Sequence, residues 1–258
     1  MTGATERNDW ATVAAIGLLA MCVVTFDHEA LGHGGACLML HGRIRLVTSS
    51  IFRCDVRSGW IDPAGPASNL LMGAIALVCR RLIPQRRLKL RLWLILVTAF
   101  SFFWEAGYVM RAMLRRDGDL YFFAQFLLGD VPVWVRWAAA AAGLALYVVA
   151  ARITSRALSR LWPQAPVARA VARTVWLSAT LGAAAAALAF AGPDWGDVRD
   201  AALEIGGASF PLLFLPLGAS GVADEQSGAV ITRSPALLAL SAVIYALFVA
   251  TLGRGLSF

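Results

Sequence analysis

The sequence predicts an all-α, polytopic membrane helical bundle, and three observations carry that reading. Hydrophobic residues make up 59% of the 258 positions and charged ones only 15%, a balance suited to lipid rather than water. Apolar runs of about 20 residues, the length a helix needs to cross the hydrocarbon core, recur along the chain. Basic residues gather at the ends of those runs, as in chains inserted with their positive loops in the cytoplasm. That pattern accounts for the net charge of +7 without a basic binding stripe, so no nucleic-acid partner is expected.

About six spans are expected in order, at 10–40, 64–83, 90–112, 131–151, 171–191 and 235–253. They form a single integral membrane domain over 1–258, with the polar motifs in 10–125 and accessory helices in 131–258. The first span is read as retained, because mixed charges (Glu6, Arg7, Asp9) precede it and no small-residue cleavage site follows. Arginine clusters at 80–91 and 152–173 are placed in the cytoplasm. The 192–234 connection holds Asp194, Asp197, Asp200, Glu204, Asp224 and Glu225 against Arg199 and Arg233, and is placed outside. Both termini then fall in the cytoplasm, and the setting reads as a bacterial inner membrane in contact with its lipid bilayer. Residues 205–221 are apolar but interrupted by Pro211 and Pro216. Proline removes a backbone donor, so a re-entrant or interfacial hairpin over the outer side is expected there. The four cysteines show no C-x-x-C spacing, and Cys22 and Cys79 lie in spans, so neither a disulfide framework nor a cysteine metal site is expected.

The first span ends in Asp27-His28-Glu29-Ala30-Leu31-Gly32-His33. Ionisable groups at membrane depth are costly unless they pair or hold something, which makes this stretch a candidate functional site. Two imidazoles can ligate a metal, and the neighbouring carboxylate can take a proton from water. The spacing matters. Histidines at i and i+5 diverge by about 140° on a regular α-helix, whereas i and i+4 diverge by about 40°. The pair converges only if the turn widens, as in a π-bulge, and Gly32, Gly34 and Gly35 favour such a distortion. Alternatives are Glu29 and His33 as the same-face i, i+4 pair, His41 as a third imidazole, or buried histidines bonded to their neighbours. Three polar clusters converge at similar depth in this topology: the motif, Asp62 to Asn69, and Glu105 to Asp119.

His28-Glu29-Ala30-Leu31-Gly32-His33 followed by Gly65-Pro66-Ala67-Ser68-Asn69-Leu70 resembles the site-2 protease family of intramembrane zinc metalloproteases. Gly107-Tyr108 and Gly118-Asp119-Leu120 are similar to features of a divergent branch of that family. The resemblance covers about residues 20 to 125 and implies a Zn2+ site held by His28, His33 and Asp119, with Glu29 as general base. It also implies that Asn69 positions the substrate backbone or the oxyanion. Two departures stand out. The histidines are one residue further apart than in HExxH, closer to the HELLGH of dipeptidyl peptidase III, and the aspartate element is looser. Glu105 is therefore an alternative third ligand.

What the resemblance implies is hydrolysis of a peptide bond in a membrane-protein or peptide substrate, by a water activated on zinc. Two other functions fit the same residues: a zinc-dependent membrane hydrolase of a non-peptide substrate, and a non-enzymatic membrane protein that keeps the metal site as structure.

Overall fold

A computed structural model of the chain describes residues 7–191, 195–215 and 229–258. It opens with a continuous rod, Trp10–Met39, of 30 residues, about 45 Å long at the rise of an α-helix. The rod comprises α1 (Trp10–Phe26), a π-helical turn (Asp27–His33) and α2 (Gly34–Met39). Asp9 caps its start, accepting hydrogen bonds from the Thr12 N–H at 2.8 Å and the Thr12 hydroxyl at 2.6 Å. Beyond the rod, β1 (Ile44–Val47) and β2 (Phe52–Cys54) form an antiparallel hairpin. Then come α3 (Ala64–Leu82), α4 (Leu88–Arg115), α5 (Asp119–Leu128), α6 (Val133–Leu161) and α7 (Ala165–Ala191). After α8 (Trp195–Ala202) and α9 (Pro235–Phe248), which continues as a π turn to Gly253, β3 (Leu256–Ser257) pairs with β1.

Five helices among the described residues are long and apolar enough to cross a membrane: Trp10–Met39, Leu88–Arg115, Val133–Leu161, Ala165–Phe190 and Pro235–Gly253. The protein is thus a helical membrane bundle, as composition predicts. The remaining expected span corresponds to α3, which has 19 residues. Its polar opening (Ser68, Asn69) and its final Arg80 and Arg81 make it less apolar than the others. It packs between the π turn and α4. The centre is α4, whose Leu92, Leu96, Phe100 and Phe103 are fully enclosed against α1, α3 and α6. Burying side chains of this size stabilises a water-soluble core by about 1.5–3 kcal/mol each. In lipid the corresponding gain comes mainly from packing, which favours the small contacts seen where Gly73 meets Ser101 and Phe102.

Three features depart from expectation. The first is a three-stranded sheet, ordered β2-β1-β3, in a chain read as all-helical. Its strands have four, three and two residues, too short to show an alternating pattern. The second is a disulfide between Cys37 and Cys54. The hairpin folds β2 back onto the end of α2, joining two cysteines that no spacing rule connects.

The third concerns the path after α7. From Trp195 the chain runs back along α7 through α8, a π turn (Leu203–Gly207) and a 3-10 turn (Phe210–Leu213). The Trp176 indole donates to the Gly206 carbonyl at 2.9 Å, and the Tyr147 hydroxyl to the Ala208 carbonyl at 2.6 Å. Further on, the Trp162 indole donates to the Ala229 carbonyl at 2.5 Å and the Asp9 N–H to the Ile231 carbonyl at 2.8 Å. Trp195 therefore lies near the sheet end of the bundle, whereas Ala229 and Ile231 lie at the end where α1 begins. The described part of the expected Pro-broken segment, 205–215, is irregular and carries Pro211 in a 3-10 turn, but a 192–234 connection gathered at one end of the bundle does not describe Trp195 and Ile231. Pro216, Asp194, Asp224 and Glu225 fall outside the described residues.

This path corrects the topology. The Ser234 N–H donates to the Thr12 hydroxyl at 3.2 Å, so α9 starts beside the start of α1 and runs parallel to it towards the sheet. Asn8 and Asp9 thus sit at one end of the bundle and Leu256–Ser257 at the other. The expectation put both termini on one side, whereas the two described ends lie at opposite ends of the bundle. The polar and irregular backbone after α7 hides a return passage that hydropathy alone does not reveal.

Two outcomes follow, the first in intact cells and the second on the denatured protein. In a variant carrying a single introduced cysteine, position 257 labels from the same side as position 53, and positions 8, 86 and 156 from the opposite side; labelling of 8 and 257 from one side would refute this path. In the unmodified protein, denatured without reductant, two thiols (Cys22 and Cys79) react with maleimide and four react after reduction.

Candidate metal centre

The i, i+5 histidines meet because the helix widens where they sit. Asp27–His33 is π-helical, and in such a turn residues five apart close the ring. The Gly34 N–H accordingly bonds to the Glu29 carbonyl. The two imidazole centroids are 4.9 Å apart. Contacts on both sides hold the widened turn. A Cβ on Gly32 would lie 2.6 Å from the Gly65 Cα, so the start of α3 rests directly on the π turn. A Cβ on Gly65 would strike both imidazoles, at 2.8 Å from His28 Nε2 and closer still to His33. Glycine at these two positions permits the approach and leaves free space in front of the ring nitrogens.

Each imidazole is fixed through its other nitrogen. His28 Nδ1 lies 3.0 Å from Glu105 Oε1 on α4, and His33 Nδ1 lies 2.8 Å from the Ile61 carbonyl. A carboxylate and a carbonyl only accept, so both rings carry their proton on Nδ1 and keep the Nε2 lone pair free. Trp104 stacks on His28 with centroids 4.6 Å apart, and Phe52 of the hairpin stacks on His33 at 5.6 Å. Both histidines are buried.

The free Nε2 atoms point to one carboxylate. Asp119 Oδ2 lies 3.3 Å from His33 Nε2 and 3.7 Å from His28 Nε2. Asp119 opens α5, and its position is set by Gly118 at φ 93° and by Tyr108, whose hydroxyl accepts from the Asp119 N–H at 3.1 Å. Ligand atoms at tetrahedral corners, with bonds of about 2.0–2.2 Å, sit about 3.4 Å from one another. The two distances from Asp119 to the imidazoles match that spacing, and all three donors lie within 4.8 Å of one another. Two neutral nitrogens, one carboxylate and a second shell on each ring are what a divalent metal requires. His28, His33 and Asp119 are thus a possible metal-binding group.

The site opens into a cavity of about 730 Å³ whose wall also includes Glu29, Asp62, Trp104, Tyr108 and Glu204. Glu29 is buried beside the ligands and faces this space, as a proton acceptor must. Two expected roles change. Glu105, the alternative third ligand, is bonded to His28 Nδ1 behind the ring and away from the Nε2 atoms. Asn69 is fully buried and absent from the cavity wall; its amide donates to Glu105 Oε1 at 2.8 Å. It positions the carboxylate that orients His28, behind the ring rather than on the cavity wall. His41 lies past the end of α2 at φ 58°, away from the donor group.

Sequence reasoning passed over Glu204, grouped with the acids of an outside loop. It reaches the cavity from the π turn after α8 and lies 3.9 Å from Arg111. One sequence signal marks it: a single acid inside the otherwise apolar Leu203–Gly207. Asp62 is also on the wall, and burial raises it to about 6, helped by Asp119. No family model, curated protein or solved structure matches this chain.

Removing the orienting carboxylate and removing a ligand are expected to differ. Glu105→Gln weakens metal binding by about 10- to 100-fold, the usual cost of losing an outer-shell partner. Asp119→Ala leaves the purified protein without stoichiometric metal. Metal analysis during titration with a competing chelator checks both; a full loss with Glu105→Gln and none with Asp119→Ala would exchange their roles.

Proposed function

We propose that the protein is an intramembrane zinc-dependent hydrolase that cleaves a peptide bond of a membrane-associated substrate. One observation carries the reading: His28 Nε2, His33 Nε2 and Asp119 Oδ2 converge with their outer partners in place, on a cavity that Glu29 also lines. The resemblance in motif order, from the histidine pair to Gly65–Asn69 to Asp119, supports it independently. Zinc is the metal proposed because two imidazoles and one carboxylate form a common catalytic zinc set that leaves a position open.

His28, His33 and Asp119 would hold the zinc, which when bound would supply Lewis acidity and lower the pKa of water from ~16 towards ~7. The remaining work falls to the chain. Glu29 accepts the proton of the attacking water on its carboxylate and returns it to the leaving amine. Glu105 and Asn69 keep His28 in one tautomer and orientation, and the Ile61 carbonyl does the same for His33. Trp104 and Phe52 flank the rings and limit access of bulk water. Tyr108 holds Asp119 through its backbone N–H, and its own hydroxyl proton remains free to donate into the cavity.

The proposed setting is a bacterial inner membrane with the cavity on the outer side. The arginines of 80–91 and 152–173 lie on the helix ends and connections towards the opposite end of the bundle, which suits the cytoplasm. The Cys37–Cys54 disulfide lies at the cavity end, which suits an oxidising compartment.

The test separates base from ligand. Glu29→Gln is expected to keep zinc near stoichiometric while turnover of a membrane-embedded peptide falls by about 100-fold or more. His28→Ala and His33→Ala are expected to lose both metal and turnover. If Glu29→Gln loses zinc as completely as His33→Ala, the carboxylate is a ligand and this division of roles is wrong.

A further inference from the structure

The cavity changes character from floor to mouth. Its floor holds His28, Glu29, His33 and Asp119, whereas its mouth is lined by Arg53 and Arg57, both exposed. The hairpin and its flanks, residues 43–57, contain Arg43, Arg45, Arg53 and Arg57 against a single acid, Asp55. That acid is engaged away from the rim: its Oδ1 accepts the backbone N–H of Arg43 at 2.6 Å, and its Oδ2 lies 3.6 Å from the Arg45 guanidinium. Among the described residues, no ion pair involves Arg53 or Arg57.

Their location makes this unusual. The hairpin sits at the bundle end opposite the arginine clusters of 80–91 and 152–173, where the charge rule for membrane insertion disfavours further arginine. Two unpaired guanidiniums kept there, on the rim of the site, are suited to an anion arriving from outside.

We propose that Arg53 and Arg57 dock acidic side chains of the substrate, so that the preferred substrate is a peptide with aspartate or glutamate just beyond the membrane. This rests on the hydrolase reading above and names its substrate class. The acids dock at the rim while the adjoining backbone reaches the floor. Ser50, Ser58 and Gln125 on the intervening wall can hydrogen-bond a peptide backbone. A lipid acyl chain on the same route would have to lie against Asp62, Asp119 and Glu204, so the peptide is favoured over an anionic phospholipid.

Binding without turnover tests the idea. Zinc-loaded Glu29→Gln protein in phosphatidylcholine nanodiscs is titrated with a fluorophore-labelled peptide carrying three glutamates, and with its glutamine counterpart. A third arm adds phosphatidylglycerol vesicles as competitor. The glutamate peptide is expected to bind about 10-fold more tightly, since each exposed ion pair contributes roughly 2- to 5-fold. The preference should shrink as salt rises. Arg53→Gln with Arg57→Gln should abolish it, and Arg53→Glu with Arg57→Glu should reverse it. Equal binding of the two peptides, or a preference that survives both double variants, overturns the proposal. So does displacement of the glutamate peptide by phosphatidylglycerol at low excess, which would assign the rim to lipid. Metal content and turnover of the unmodified protein are measured separately, so a failed rim leaves the hydrolase reading standing, and absent metal or turnover removes that reading directly.

Discussion

The turn between His28 and His33 must close in five residues, and most of the site depends on that. On a regular helix the two imidazoles would face different neighbours, and no carboxylate from α5 would reach both. The π turn removes the divergence by inserting one residue into the turn, at the expense of regular hydrogen bonding over Asp27–His33. Such a turn persists only when contacts outside the helix favour it. Here these are the bare face of Gly65, the Ile61 carbonyl on His33 and Glu105 on His28.

Charge burial explains the second layer. Glu29, His28, His33 and Glu105 are each no more than 4% exposed, and an isolated charge in such surroundings carries a desolvation penalty of several kcal/mol. The structure distributes that cost over a connected network. Asn69 donates to Glu105, Glu105 accepts from His28, and the Nε2 atoms face Asp119. A divalent cation between His28, His33 and Asp119 would add positive charge among the surrounding acids. The donor group therefore makes electrostatic sense as a binding site more readily than as a set of mutually bonded residues.

The periphery gives the site an entrance. The disulfide ties β2 to the end of α2, so Phe52 is held over His33 and Arg53 is held at the rim. β3 joins the same sheet from the far end of the chain, anchoring the last transmembrane helix to the hairpin. From the opposite wall, the irregular backbone after α7 delivers Glu204 into the cavity and closes the space beside Tyr108 and Arg111. Irregular structure there is tolerated because it packs on α7 and α4 and its Gly206 and Ala208 carbonyls are bonded by Trp176 and Tyr147.

Some of this was determined by local sequence alone. Helical membrane character follows from composition and run length, because each span satisfies its own backbone hydrogen bonds wherever its neighbours lie. The π turn follows from the five-residue histidine spacing once both rings are assumed to share a ligand, and the order of motifs pointed to Asp119. Other features arise only when separate segments meet. The roles of Glu105 and Asn69 depended on which ring nitrogen each faces, a matter of a few ångströms that no spacing encodes. The Cys37–Cys54 bridge, the pairing of Leu256–Ser257 with β1, and the passage that puts the two described chain ends at opposite poles each join residues far apart in sequence or hidden in short irregular elements. Such contacts are decided by packing, because their stability comes from the partner rather than from the segment itself.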